Sequence, residues 1–397
     1  SVELIPPAAS AEPRSITFAT NKKAVRKVDD ILIGQVWLCS GQSNMNWSAA
    51  NGIADMKKEL ESPMNPQIRL FTVTKNSSPY PQDDCEGRWL VCNSKSALYF
   101  SAVGYFFGKR LADELRQPVG LVNSSWGGTP VEVWTPANVM DKNPQMVASW
   151  KEQPKSRFWQ IGSLYNAMIH PLRHTTFAGA IWYQGESNVG RHETYAERLA
   201  DMVQLWRKEW GLGELPFYFA EIAPYAYGGT QQEKAAYLRE AQFRAQSLIP
   251  NSGMISTNDL VEPYEMYNIH PRNKTKVGQR LSYLALNLTY GLKQIHCFGP
   301  QYKSWTAKGS EAWVSFDHLE MGICRNYDLR GFEVAGEDRV FHPADKVWLH
   351  WQTNEVVISS EKVSHPVSVR YCFHDFQIGT MIGGNELPTI PFRTDNW

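Results

Sequence analysis

The chain has 397 residues, 43% of them hydrophobic, with 40 Lys+Arg against 40 Asp+Glu. Balanced charge excludes the basic footprint of a nucleic-acid binder and a polybasic membrane signal, and this much apolar material excludes a disordered chain. No run approaches the roughly 20 apolar residues of a membrane span, and six cysteines without zinc-type spacing are too few for a disulfide scaffold.

The N-terminus, SVELIPPAAS, lacks the charged-then-apolar pattern of an export signal. Residues 1–30, with Ser15-Ile16-Thr17-Phe18, are expected to form a β hairpin or part of another β layer. From residue 31 short apolar runs alternate with helical stripes. Val36–Cys39 reads as a buried strand. Val103, Phe106, Phe107, Leu111 and Leu115 then share one helical face. Val119–Val122 and Ala180–Tyr183 are further strands. A helix follows through Tyr195, Leu199, Met202, Val203, Trp206 and Trp210, with Thr194 and Glu197 expected to form a capping box. Strands at Phe217–Ala220 and Met254–Ser256 precede a last stripe, Val277, Leu281, Leu284 and Leu288. Continuous apolar strands between helices predict a doubly wound α/β domain over 31–294, built on a parallel sheet. From 295 to 397 the pattern becomes period two, as in Val367, Val369, Tyr371 and Phe373, which predicts an accessory antiparallel β domain, a sandwich.

In such sheets ligands sit beyond the carboxyl ends of the strands. The first strand is followed by Ser40-Gly41-Gln42-Ser43-Asn44-Met45, the second by Asn123-Ser124-Ser125-Trp126-Gly127-Gly128-Thr129, the third by Gln184-Gly185-Glu186-Ser187-Asn188, and the last by Asp259 and then Ile269-His270-Pro271. A hydroxyl, an imidazole and several amides are the parts of nucleophilic acyl transfer. Ser43 follows Gly41 closely enough for a sharp strand-to-helix turn, and an N-cap serine is the bland alternative. His270 is the candidate base; His170, also before a proline, is the runner-up. Gly127 permits close backbone approach to an oxygen, and Gln184 carries an amide that can donate to it.

At these segments the chain resembles the sialate O-acetylesterase-type carbohydrate esterases of the SGNH hydrolase superfamily. The matching stretches are Gly34–Met45, Asn123–Thr129, Trp182–Asn188, Ile269–Lys274 with Val277–Leu281, and Arg370-Tyr371 through Pro391–Asp395. The resemblance implies a flavodoxin-like α/β catalytic domain, with 1–30 as the remnant of an N-terminal β domain. It implies Ser43 as nucleophile, His270 as base, and an oxyanion hole of the Ser43 and Gly127 amides with Gln184. Many such enzymes carry an aspartate three residues before the histidine; here that position is Tyr267. Glu186 is therefore the first candidate for orienting the imidazole, Asp259 the alternative acid, and a backbone carbonyl within a Ser-His dyad the third.

The resulting expectation is a serine esterase that deacetylates sugars without metal or cofactor, acting on O-acetylated sialic acid. Acetyl-xylan is the alternative substrate, and a catalytically inactive carbohydrate-binding protein the alternative of another class. Trp47, Trp126 and Arg191 are candidate substrate contacts, the arginine for a sialate carboxylate; Trp134 and Trp182 also lie near the motifs. The expected partner is an O-acetylated carbohydrate, with no nucleic acid and no membrane insertion, in a periplasmic or secreted setting. Asn-x-Ser/Thr sequons at Asn46, Asn76, Asn123, Asn273 and Asn287 carry little weight, because two lie beside the proposed site.

Overall fold

The computed structural model describes residues 7–20, 23–140, 144–151, 160–324 and 328–397. Strands β1 (Ser10–Thr20) and β2 (Lys23–Ile33) form an antiparallel hairpin that extends three residues past the expected 1–30 segment. The main sheet contains β3 (Gln35–Gly41), β4 (Ile68–Thr72), β5 (Trp89–Val91), β6 (Val119–Ser125), β7 (Gly179–Tyr183), β8 (Phe217–Ala220) and β9 (Ser252–Ile255), in the order β5-β4-β6-β3-β7-β8-β9. All neighbours are parallel except β4 and β5. Helical segments are α1 (Ser43–Asn46), α2 (Ala54–Glu59), α3 (Ser94–Ala97), α4 (Ala102–Leu115), α5 (Ala137–Met140), α6 (Pro144–Lys151), α7 (Tyr195–Trp210), α8 (Lys234–Leu248) and α9 (Thr275–Leu284).

Side-chain alternation along each strand divides the core in two. Leu38, Val122, Ala180, Trp182 and Phe219 pack with α7 and α8 on one face. Trp37, Cys39, Leu121, Ile181 and Tyr183 pack with α4 and α9 on the other. Both faces are covered, so these strands are apolar throughout rather than alternating. The chain leaves β3 toward β4 and later crosses to β7. The carboxyl end of β3 is thus the point where strand order reverses, the place where such sheets bind ligands.

Some local expectations change. The helix that follows the turn at Ser43 is a single turn long. Thr194 makes no side-chain cap to α7, and Glu197 instead pairs with Arg244 at 3.0 Å. The six cysteines are all unpaired.

The C-terminal region contains two antiparallel sheets. One has the order β10-β11-β15-β14, from β10 (Gln301–Lys308), β11 (Glu311–Asp317), β14 (Lys346–His350) and β15 (Glu355–Ser359). The other has the order β13-β12-β16-β17, from β12 (Phe332–Ala335), β13 (Phe341–Pro343), β16 (Ser368–Tyr371) and β17 (Phe392–Arg393). Val314, Phe316 and Ile358 of the first meet Val334, Val369, Tyr371 and Phe392 of the second in a shared core.

Strand β16 is buried on both faces because its far side meets α8. Arg370 bonds Glu233 and Asp395, and Arg393 bonds Glu240. The buried Arg239 guanidinium donates to the carbonyls of Cys372 and His374, at 3.2 and 2.6 Å. No described helix is long and apolar enough to cross a membrane.

Candidate active site

The site forms where β3, β6 and β7 end. Gly41 closes β3 with φ of +135°, and a Cβ there would lie 2.2 Å from the Tyr183 carbonyl oxygen. Only glycine lets the backbone turn this tightly against β7, and the turn delivers Ser43 at the start of α1. Ser43 is partly accessible while its neighbours Gln42 and Asn44 are buried. The loop after β6 arrives alongside: the Trp126 amide donates to the Gly41 carbonyl at 3.0 Å. A Cβ built on Gly127 would sit 3.2 Å from Ser43 Cβ, so Gly127 lies against the nucleophile candidate with no room for a side chain.

His270 comes from a distant loop, which several hydrogen bonds shape. Buried Glu265 accepts from the Asn268 side chain and from the backbone amides of Glu262 and Arg272, at 3.1–3.2 Å. Asn268 in turn accepts from the His270 amide at 3.1 Å. The loop is joined to the serine turn by the Asn44 side chain, which donates to the Ile269 carbonyl at 3.0 Å. Ser43 and His270 are each one residue from that bond. Trp47, which closes α1, stacks on the imidazole with ring centroids 4.0 Å apart and planes 22° from parallel. Burial and the nearby Lys274 charge push the His270 pKa down to about 4. The ring is therefore neutral at pH 7, the state a general base needs.

The candidate acids behave differently from expectation. Glu186 is buried and its Oε1 accepts from the Asn44 amide, while Oε2 has no hydrogen-bonding partner; neither oxygen bonds His270. Burial pushes its pKa up, opposed by Asn44 and Lys274. Asp259 is fully engaged elsewhere, with both oxygens 2.6 Å from the Arg280 guanidinium. That bidentate pair engages both carboxylate oxygens, and neither bonds His270. Tyr267, at the aspartate position of related sequences, is 71% exposed.

The other candidate residues make the following contacts. Gln184 is fully buried, and its amide hydrogens go to the Thr129 carbonyl at 3.2 Å and Asn188 Oδ1 at 2.7 Å. It braces the Gly127–Thr129 loop instead of reaching toward a reacting oxygen. Arg191 donates to Glu132 and to the Ser187 carbonyl, inside a buried cluster where Glu132 also meets Arg198 and Asn188. Arg191 is thus held by internal partners, and the one carboxylate shared by two guanidinium groups leaves this cluster with a net positive charge. Trp47 already gives one face to His270, while Trp134 and Trp182 are fully buried in the core. Trp126 stays half-accessible beside Gly127. The runner-up base, His170, is occupied by the Gln82 carbonyl at 3.0 Å. Among the sequons, Asn123 is 1% exposed and inaccessible to a glycan.

Sequence reasoning missed Asn44, Lys274 and Glu132. Each is polar and wholly buried, and their roles rest on contacts between residues far apart in the chain. Position 44 did carry one signal, a polar residue directly after the candidate nucleophile within a matching stretch.

Residues 33–287 match the family described as carbohydrate esterase, sialic acid-specific acetylesterase. Sialate O-acetylesterases of mouse and rat are 30% and 32% identical to the chain, over 78% and 80% of it and 66% and 68% of their own lengths. The chain thus spans about two thirds of these curated relatives. The crystal structure of a carbohydrate acetylesterase from Xanthomonas citri superposes with a TM-score of 0.89 at 34% identity, covering 100% of this chain and 88% of that one. The chain belongs to the carbohydrate esterase family of sialic acid-specific acetylesterases.

Proposed function

We infer that the protein is a serine esterase that removes O-acetyl groups from sugars. His270, neutral at physiological pH, accepts the Ser43 hydroxyl proton as Ser43 Oγ attacks the acetyl carbonyl carbon. The negative charge that develops on the carbonyl oxygen meets the backbone N–H groups of Ser43 and Gly127. Each such donor is worth roughly 2.7–4 kcal/mol of barrier. The C–O bond to the sugar then breaks and the sugar oxygen takes the proton from His270. Water, deprotonated by the same imidazole, hydrolyses the acetyl-serine and regenerates the enzyme. Gln184 keeps Gly127 in place through the Thr129 carbonyl. Glu186 acts on the histidine loop only through Asn44.

The observation that carries this reading is the convergence of three strand-end segments on one point: Gly127 against Ser43, and Asn44 bonded to Ile269. Ser43→Ala tests it. The variant should fold as the parent does and lose about 10⁴-fold or more in release of acetate from a chromogenic acetyl ester. Retention of most activity would end the assignment, and an inactive wild-type chain that still bound acetylated sugar would favour the binding-protein alternative.

O-acetylated sialic acid is the first substrate, following the family and its curated relatives. Neutral acetylated polysaccharide such as acetyl-xylan is the second reading, favoured by one observation: the Arg191 guanidinium is held by Glu132 and by the Ser187 carbonyl. The ratio of deacetylation rates on the two substrates decides between them. Such glycans are met outside the cytoplasm, so a periplasmic or secreted setting fits this activity.

A further inference from the structure

Among the buried groups that the chemical step leaves unused, one set stands out by its connections. Asn44 is 0% exposed and all its polar positions are engaged. Its Oδ1 accepts from the Lys274 ammonium at 2.5 Å. Its Nδ2 donates to Glu186 Oε1 and to the Ile269 carbonyl. Lys274 is likewise 0% exposed, and its ammonium lies 5.5 Å from the centre of the Tyr183 ring. The side-chain amide thus sits between a buried cation and a buried carboxylate. Burial pushes the Lys274 pKa down to about 7, but its nitrogen still donates to Oδ1. Exchanging the Asn44 oxygen and nitrogen would set a carbonyl oxygen against two acceptors, Glu186 Oε1 and the Ile269 carbonyl, so hydrogen bonding fixes the orientation of Asn44.

We propose that Asn44, locked between Lys274 and Glu186, is the positioning residue that registers the His270 loop against Ser43, in place of an aspartate bonded to the imidazole. The proposal rests on the esterase reading of Ser43 and His270. Its logic is geometric. Asn44 follows Ser43 in a single helical turn, and Ile269 precedes His270. One buried hydrogen bond between those two neighbours therefore sets the relative placement of nucleophile and base. Trp47, from the end of the same turn, fixes the plane of the ring from one side. A conventional acid holds the imidazole by its far nitrogen; here the backbone is held at the residue before it. A displacement of about 1 Å between reacting groups costs on the order of 10²-fold in rate, so loss of this contact should be felt in turnover.

The test uses the full chain and four variants, assayed for acetate release from 4-nitrophenyl acetate, with thermal melting measured on each. Asn44→Ala should lose roughly 10²-fold in kcat with KM changed less than about threefold. Lys274→Met, which frees the Asn44 oxygen, should lose kcat in the same way. Glu186→Ala should be impaired, whereas Glu186→Gln keeps an acceptor oxygen facing Asn44 and should recover most of the lost kcat. That rescue separates a hydrogen-bond acceptor from a charge acting on the imidazolium. Glu186→Gln as slow as Glu186→Ala would overturn the proposal, as would Asn44→Ala with unchanged kcat. An Asn44→Ala protein with lowered melting temperature and parental kcat would reduce the residue to a core-packing role and would also overturn it. If Ser43→Ala retained activity in the same assay, the esterase reading itself would fail, an outcome distinct from all of these.

Discussion

Gly127→Ala is the most incisive perturbation of the proposed oxyanion site. The added methyl carbon would lie 3.2 Å from Ser43 Cβ and 3.5 Å from its Cα. Carbon atoms prefer separations of about 3.5–4.0 Å, so the two segments must part by roughly 0.3–0.8 Å. The Gly127 loop has little slack, because Trp126 is bonded to Gly41 and Thr129 to Gln184. The displacement therefore falls on Ser43 Cβ and on the Gly127 N–H, the attacking group and a donor to the developing oxyanion. Loss of one such donor costs about 10²–10³ in kcat, or ~2.7–4 kcal/mol. Steady-state hydrolysis of a chromogenic acetyl ester measures this directly. Gly128→Ala is the matched control. Its φ is +74° and no atom lies within 4 Å of the new methyl. Left-handed backbone strain of about 1–2 kcal/mol should lower the melting temperature while leaving kcat near the parental value. A Gly127→Ala enzyme with kcat within threefold of wild type, or a Gly128→Ala enzyme losing as much as Gly127→Ala, would refute the reasoning.

Further outcomes follow from the same geometry. The active form carries neutral His270, whose pKa is pushed down to about 4. Activity should therefore persist as pH falls through 6.5 and disappear only near pH 4; an acid limb of kcat/KM at the ordinary histidine value would contradict the site's electrostatics. Asp259→Asn breaks a part-buried bidentate pair with Arg280. It should lower stability by about 3–5 kcal/mol in denaturant unfolding with kcat within a few-fold of parental, and a selective loss of kcat would restore Asp259 as a catalytic candidate. Arg191→Gln should leave the ratio of KM values for anionic and neutral acetylated sugars unchanged, because the guanidinium is held by Glu132 and the Ser187 carbonyl. A selective rise in KM for the anionic sugar would show that the arginine reaches substrate.

Much of this arrangement was legible in the sequence. Strands β3, β6, β7, β8 and β9 were visible because both their faces are buried, which writes them as uninterrupted apolar runs. Their polar sequels then marked the site, since turn-forming residues after a buried strand have few structural reasons to include Ser43 or His270. Strands β4 and β5 were not anticipated. Ile68–Thr72 is interrupted by Arg69, which reaches out to Asp30 at 2.7 Å, and β5 is a three-residue edge strand. Helix α8 escaped notice because small residues, Ala235, Ala236, Ala241 and Ala245, form much of its buried face. The roles of Glu186, Gln184 and Arg191 were hidden for a different reason. Each is a buried polar group whose meaning lies in its partner, and those partners are Asn44, Thr129 and Glu132. Residue type and spacing along one strand end give no access to a pairing made across the crevice.

The attachment of the accessory sheets to α8 bears on how this protein can be engineered. Asp375, contributed from the C-terminal region, accepts from the Ala235 amide at 2.7 Å and so completes the first turn of a helix in the hydrolase part. Trimming the chain near residue 295 would strip that cap and remove the two carbonyl acceptors of the Arg239 side chain. The esterase portion is therefore a poor candidate for excision as a minimal module or for grafting onto foreign binding domains, and melting should proceed as one cooperative event.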